Sequence, residues 1–142
     1  MATRGSSSTR TPAQVFALAF GVVYLLIGIV GFAVTGFDNF AGETYGEKLI
    51  LFPVNPLHNL VHIAIGGLWL YGSKDHPTAK SVNTIIGVAY LLVAVLGLMG
   101  VLQFLAIEDA ASADNYLHLA SGALAVYFGT AGAAAPATTR NV

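Results

Sequence analysis

The sequence predicts an all-α integral membrane protein whose four transmembrane helices form two pseudo-symmetric helical hairpins, and three observations carry that expectation. Hydrophobic residues make up 56% of the 142 and charged ones only 9%, against roughly 25% charged in soluble domains. The mean hydropathy of +0.72 agrees. The apolar residues also fall into four runs divided by polar, turn-rich segments, close to the ~20 residues that a bilayer crossing needs. Finally, the second and fourth runs open on matching Asn and His residues. A net charge of −1 gives no basis for a nucleic-acid partner. With no cysteine, disulfides, iron–sulfur clusters and thiolate metal sites are excluded.

Residues 1–12 are polar, rich in Ser and Thr, and read as a disordered cytoplasmic N-terminus. The first span covers about 13–35 and carries no charge; it is too long for a signal-peptide core and reads as a retained helix. A polar loop, Gly36 to Lys48, brings Asp38, Glu43 and Glu47. The apolar piece Leu49 to Val54 lies ahead of Asn55-Pro56 and cannot continue the next helix backwards, so an interfacial segment or re-entrant elbow is expected. Asn55 as N-cap and Pro56 at the first helical position start the second span, about 56–72. A turn-rich connection holding His76 follows, read as solvated, and the third span covers about 82–107. The acidic segment Glu108 to Asp114 ends in a candidate N-cap aspartate, and the fourth span runs from 115 to 134, leaving 135–142 as a cytoplasmic tail.

Charge placement orients the chain. Arg4, Arg10, Lys74, Lys80 and Arg140 fall on one side of a four-span arrangement and Lys48 on the other, which places both termini in the cytoplasm of a cell-membrane protein. Trp69, Tyr71, Tyr127 and Phe128 are expected in an aromatic belt at the inner interface.

Asn59, His62, Ala64, Gly66, Leu68 and Tyr71 align without a gap on Asn115, His118, Ala120, Gly122, Leu124 and Tyr127. A similar match sets Gly21, Tyr24 and Gly31 against Gly87, Tyr90 and Gly97. Matches of Leu and Gly between apolar helices are cheap; coincident Asn and His are not. A two-helix unit repeated in the same sense places equivalent residues at one depth. The expected constellation is therefore His58, Asn59 and His62 facing Asp114, Asn115 and His118 near the outer face.

Four readings of that constellation are open. The first is structural: Asn and His hydrogen-bonded across helices hold the bundle in register at about 1 kcal/mol per bond. The second is a bis-histidine haem on His62 and His118. The third is a divalent metal such as Zn²⁺ held by His58, His62, His118 and Asp114, three nitrogens and an oxygen. The fourth is a small transporter or proton relay. Tyr24 and Tyr90 read as packing between repeats, and the glycines of spans one and three as helix-packing positions. No Ser–His–Asp or Cys–His arrangement makes a case for catalysis.

The stretch Asn55-Pro-Leu-His58-Asn59-Leu-Val-His62, followed by Gly66 and later by Asp114-Asn115-Tyr-Leu-His118-Leu, resembles the small bacterial four-helix membrane family catalogued as domain of unknown function 4383. The resemblance covers about Ala13 to Ala134 and implies a four-span membrane protein of unassigned role, with no catalytic residue to carry over. The expectation is thus a non-enzymatic structural or accessory membrane protein, binding no cofactor and associating with itself or a larger complex through its glycine-rich faces. A haem- or metal-binding protein is the competing expectation.

Overall fold

Residues 9–42 and 47–134 are described by the computed structural model, in which four helices dominate: α1 Pro12–Thr35, α2 Pro56–Gly72, α3 His76–Leu98 and α4 Ala113–Gly129. The expected disordered N-terminus lies outside the described residues as far as residue 8, and the 135–142 tail lies wholly outside them, as does Glu43.

Local chemistry sets the helix starts. Thr11 caps α1 in a capping box with Gln14. Asn55 caps α2, its side chain accepting the His58 amide at 2.8 Å, with Pro56 in the first turn as the sequence predicts. The third helix differs from expectation at both ends. It begins at His76 rather than near residue 82, because Asp75 caps it by accepting the Thr78 amide at 2.9 Å and the Thr78 hydroxyl at 2.8 Å. It stops at Leu98 rather than near 107, where Gly100 takes a left-handed φ of 68° and the chain enters a 3₁₀ turn, Gln103–Leu105, with Leu102 bridged to Ile107. Helix α4 also starts earlier than expected. Ser112 holds the cap position, so Asp114 stands inside the first turn and not at the N-cap.

The piece from Leu49 to Val54 folds back as a small hairpin. Strand β1, Lys48–Leu49, pairs antiparallel with β2, Phe52–Pro53. At its tip Ile50 is 84% exposed with φ 62°, a left-handed conformation that a β-branched residue rarely adopts. Ala106, in the loop before α4, shares that geometry at φ 61°.

Helices pair mainly within each hairpin, α1 on α2 and α3 on α4, and glycine permits the close approach. A Cβ on Gly66 would stand 2.5 Å from the Leu25 amide nitrogen, and one on Gly21 would stand 2.8 Å from that of Leu70. In the other hairpin Gly122 meets Leu91 and Gly87 meets Val126 in the same way. Gly21, Gly66, Gly87 and Gly122 are therefore occupied inside this chain, whereas Gly67 and Gly100 have nothing within 4 Å of an added Cβ. Between the hairpins run two buried hydrogen bonds: the Tyr24 hydroxyl donates to Ser121 Oγ at 3.1 Å, and the Asn83 amide to the Ala13 carbonyl at 3.0 Å.

Around the first of these bonds packs an aromatic core of Phe16, Phe20, Tyr24, Trp69 and Tyr90. Trp69 is fully buried there, which corrects its expected place in an interfacial belt: its indole stacks edge-on against Phe20, Tyr24 and Tyr90. Tyr71 and Tyr127 do lie exposed.

Two helices, α1 and α3, are long and apolar enough to cross a membrane, with window hydropathies of 2.6 and 2.1. Only 33% of each window is buried inside the protein, unlike a soluble core helix. Large apolar side chains point outward from all four helices, among them Ile29, Leu68, Leu92 and Leu119.

Capping of α3 gives a pH-dependent expectation. The Thr78 amide and hydroxyl bonds lower the pKa of Asp75 below the usual carboxylate value. The stabilisation is then fully present above the unfolded pKa and fades as pH falls through the lowered one. Hydrogen exchange at the Thr78 amide, corrected for intrinsic rates, should become less protected in that acid range, and Asp75→Ala should abolish the pH dependence.

Candidate metal centre

With α2 starting at Pro56, His58 and His62 stand one turn apart on one face, their ring centroids 4.4 Å apart. Helix α4 repeats the spacing with Asp114 and His118. The two faces meet. One ring nitrogen each from His58, His62 and His118 lie within 4.8 Å of one another, and Asp114 Oδ1 is 3.8 Å from His58 Nε2. All four side chains are buried, none more than 4% exposed. The structure thus brings the three expected nitrogens together, and Asp114 joins them at the His58 side only.

The connections between helices roof the cluster. Val54 and Ile107 are almost fully buried above it, and main-chain groups of Pro53 and Leu105 approach His58. Below it, Tyr24 lies edge-on to His62 at 5.1 Å and Tyr90 sits 5.0 Å from His118, with the two tyrosines 5.6 Å apart. These walls read from sequence only as packing residues. Ser121 and Asn83, which join the hairpins, escaped sequence reasoning altogether; Ser121, three residues beyond His118 on an otherwise apolar helix, was the available clue.

Asn59 and Asn115 do not join the histidines in one shared cluster, contrary to expectation. Each turns back into its own hairpin, where a glycine leaves room for the amide. Asn59 lies against Gly31 and donates to Thr35 Oγ1 at 3.0 Å; Asn115 lies against Gly97 and donates to the Asp109 carbonyl at 2.9 Å. Asn59→Ala should therefore lower stability in detergent by about 1 kcal/mol. Denaturation of the variant checks this, and Thr35→Val in the Asn59→Ala background should add little if the bond is the cause.

The imidazoles behave differently from the asparagines. Neither ring nitrogen of His62, nor Nδ1 of His118, has a hydrogen-bond partner among the described residues. Buried polar atoms are normally partnered, so these nitrogens face one another without stitching helices together. Three imidazoles and a carboxylate suit Zn²⁺ or a similar ion. A tetrahedral ion binding at about 2 Å sets its ligands roughly 3.3 Å apart, against separations of up to 4.8 Å among the three imidazoles here.

The fourth histidine belongs elsewhere. His76 is half-buried at the opposite end of the molecule, its Nδ1 2.9 Å from Thr11 Oγ1, because α3 begins at this residue and packs on the start of α1. The expectation of a solvated loop residue is corrected accordingly.

A family model described as Domain of unknown function (DUF4383) matches residues 14–131. No curated protein and no solved structure matches the chain.

Proposed function

The chain belongs to the family of Domain of unknown function (DUF4383), and on that premise we propose that it is a four-span membrane protein that binds one divalent metal ion through His58, His62, His118 and Asp114. The convergence of three buried imidazoles within 4.8 Å carries the reading, since each has at least one ring nitrogen with no hydrogen-bond partner among the described residues.

Several features support the membrane setting. The outward faces of all four helices are apolar, and α2 and α4, at 17 residues each, are about 25 Å long. The hairpin at Ile50 and the loop at Ala106 extend the short helices at one end, filling most of the ~30 Å hydrocarbon depth. Arg10, Lys74 and Lys80 gather at the other end, where Gln14 donates to the Ser73 carbonyl, which favours cytoplasmic termini. Paired contacts at Gly21 and Gly87, Gly66 and Gly122, and Asn59 and Asn115 support a duplicated hairpin, and a duplication accounts for ligands that converge at one depth.

Metal fits this site better than haem. The free spaces beside the cluster measure about 70 and about 80 Å³, against roughly 300 Å³ or more for a drug-sized ligand. The structural reading accounts for the asparagines, whose bonds hold each hairpin, and for the His58–Asp114 contact between hairpins, but not for the unpartnered nitrogens of His62. Protein purified in mild detergent and reloaded with Zn²⁺ should retain close to one ion per chain and show no Soret band with added haem. Retention well below one ion, or a haem spectrum that disappears in His62→Ala, overturns the metal assignment.

A further inference from the structure

Two cavities flank the cluster, and they are counterparts. The first, about 70 Å³, lies between α1 and α4, is walled by Ile27, Leu117 and Tyr24, is closed at the end by the apolar hairpin residues 49–54, and ends on His62 and Asp114. The second, about 80 Å³, lies between α3 and α2 and is walled by Val93, Val61 and Tyr90, ending on His118 and His58. Ile27 precedes Val93 by the same 66 positions that separate Tyr24 from Tyr90, and Val61 precedes Leu117 by the same 56 that separate His62 from His118. In both cases the walls are apolar and polar atoms appear only at the inner end.

Their placement matters as much as their lining. Each cavity lies at a seam between hairpins, where packing is sparser than within a hairpin. The wall residues Ile27, Leu117, Val61 and Val93 are half-buried, so they form the outer surface of the bundle. On the membrane reading that surface faces hydrocarbon, whereas the aqueous side of the cluster is roofed by Val54 and Ile107.

We infer that the metal centre is reached sideways from the bilayer, and that its ligand is an uncharged molecule smaller than an aromatic ring that partitions into hydrocarbon. The inference rests on the metal reading and deepens it. Volume limits the size: each cavity is about half the ~150 Å³ of an apolar cavity that takes benzene, too little for a quinone ring or a lipid headgroup. Lining sets the polarity. Because the walls outside the inner end are apolar, a charged ligand would have to shed its hydration to cross them. The tyrosines at the inner ends leave the ligand's last contact to an imidazole edge or the ion itself.

The test uses the full chain in lipid nanodiscs loaded with Co²⁺, whose visible bands report the coordination of the ion. Nitric oxide and azide serve as probes, similar in size and opposite in charge character. Nitric oxide should perturb the cobalt bands, and azide should do so at least about tenfold more weakly. Ile27→Trp combined with Val93→Trp should reduce the nitric oxide response by about tenfold at unchanged cobalt stoichiometry, while the lipid-facing control Leu92→Trp leaves it intact. Equal responses to both probes, or no response to nitric oxide in cobalt-loaded wild type, overturn the inference and leave the metal site standing. Failure to load cobalt overturns the metal reading and the inference with it.

Discussion

His62→Ala is expected to weaken divalent-metal binding by at least about 100-fold, since outer-sphere changes alone cost 10–100-fold and this change removes a direct ligand. His58 stands in the middle of the set, beside His62, His118 and Asp114, while His62, its ring 4.4 Å from that of His58, is the ligand with neither nitrogen partnered among the described residues. His118→Ala should behave alike, because α4 supplies only His118 and Asp114 and loses one of its two donors. Asp114→Asn keeps an oxygen but removes its charge, so a smaller loss, about tenfold, is expected there. The decisive control is Asn59→Ala. It lies one residue from His58, yet its amide bonds Thr35 inside the α1–α2 hairpin, so it should lower stability and leave metal affinity unchanged. Competition titration against a chromophoric chelator measures all four. If Asn59→Ala and His62→Ala lose affinity to the same degree, binding reflects general integrity of the fold and the assigned ligands are wrong.

Gly66→Ala should destabilise the protein by about 1–3 kcal/mol, the cost of overpacking a close contact, although alanine is ordinarily the better helix former. The added methyl would stand 2.5 Å from the Leu25 amide nitrogen and 2.9 Å from its Cα. Both are backbone atoms of a facing helix and cannot rotate aside. Gly122→Ala should cost less, because its nearest atoms are 3.0 Å away and one of the three is the movable Leu91 side chain. Gly67, one position along, would have nothing within 4 Å of an added methyl. There helix propensity is unopposed, so Gly67→Ala should gain about 0.5–1 kcal/mol. Unfolding in detergent gives the ranking directly. A Gly66→Ala protein as stable as Gly67→Ala would mean that α1 and α2 do not pack as closely as described.

The helical class, the start of α2 at Asn55-Pro56 and the identity of the four candidate ligands were all legible in the order of the residues. Each of these rests on short-range rules: apolar runs of helical length, a cap followed by proline, and side chains one turn apart. Matching Asn and His in two segments also indicated that distant parts of the chain would present like groups at like depth.

Other features needed the packed structure. The limits of α3 depended on whether Asp75 captured the Thr78 amide and where Gly100 turned the chain, both outcomes of local competition that apolar periodicity does not resolve. Trp69 looked interfacial by its place near a helix end, but Phe16, Phe20 and Tyr24 of α1 and Tyr90 of the opposite hairpin enclose it in the core. Asn59 and His62 share a stripe in sequence; only the position of Gly31 in the facing helix sends the amide one way while the imidazole goes the other. The division of labour between asparagines that tie hairpins and histidines that face one another is thus a property of inter-helix distance. Spacing along a chain fixes which side chains share a face, and the partner presented to that face is set by how closely the neighbouring helix approaches.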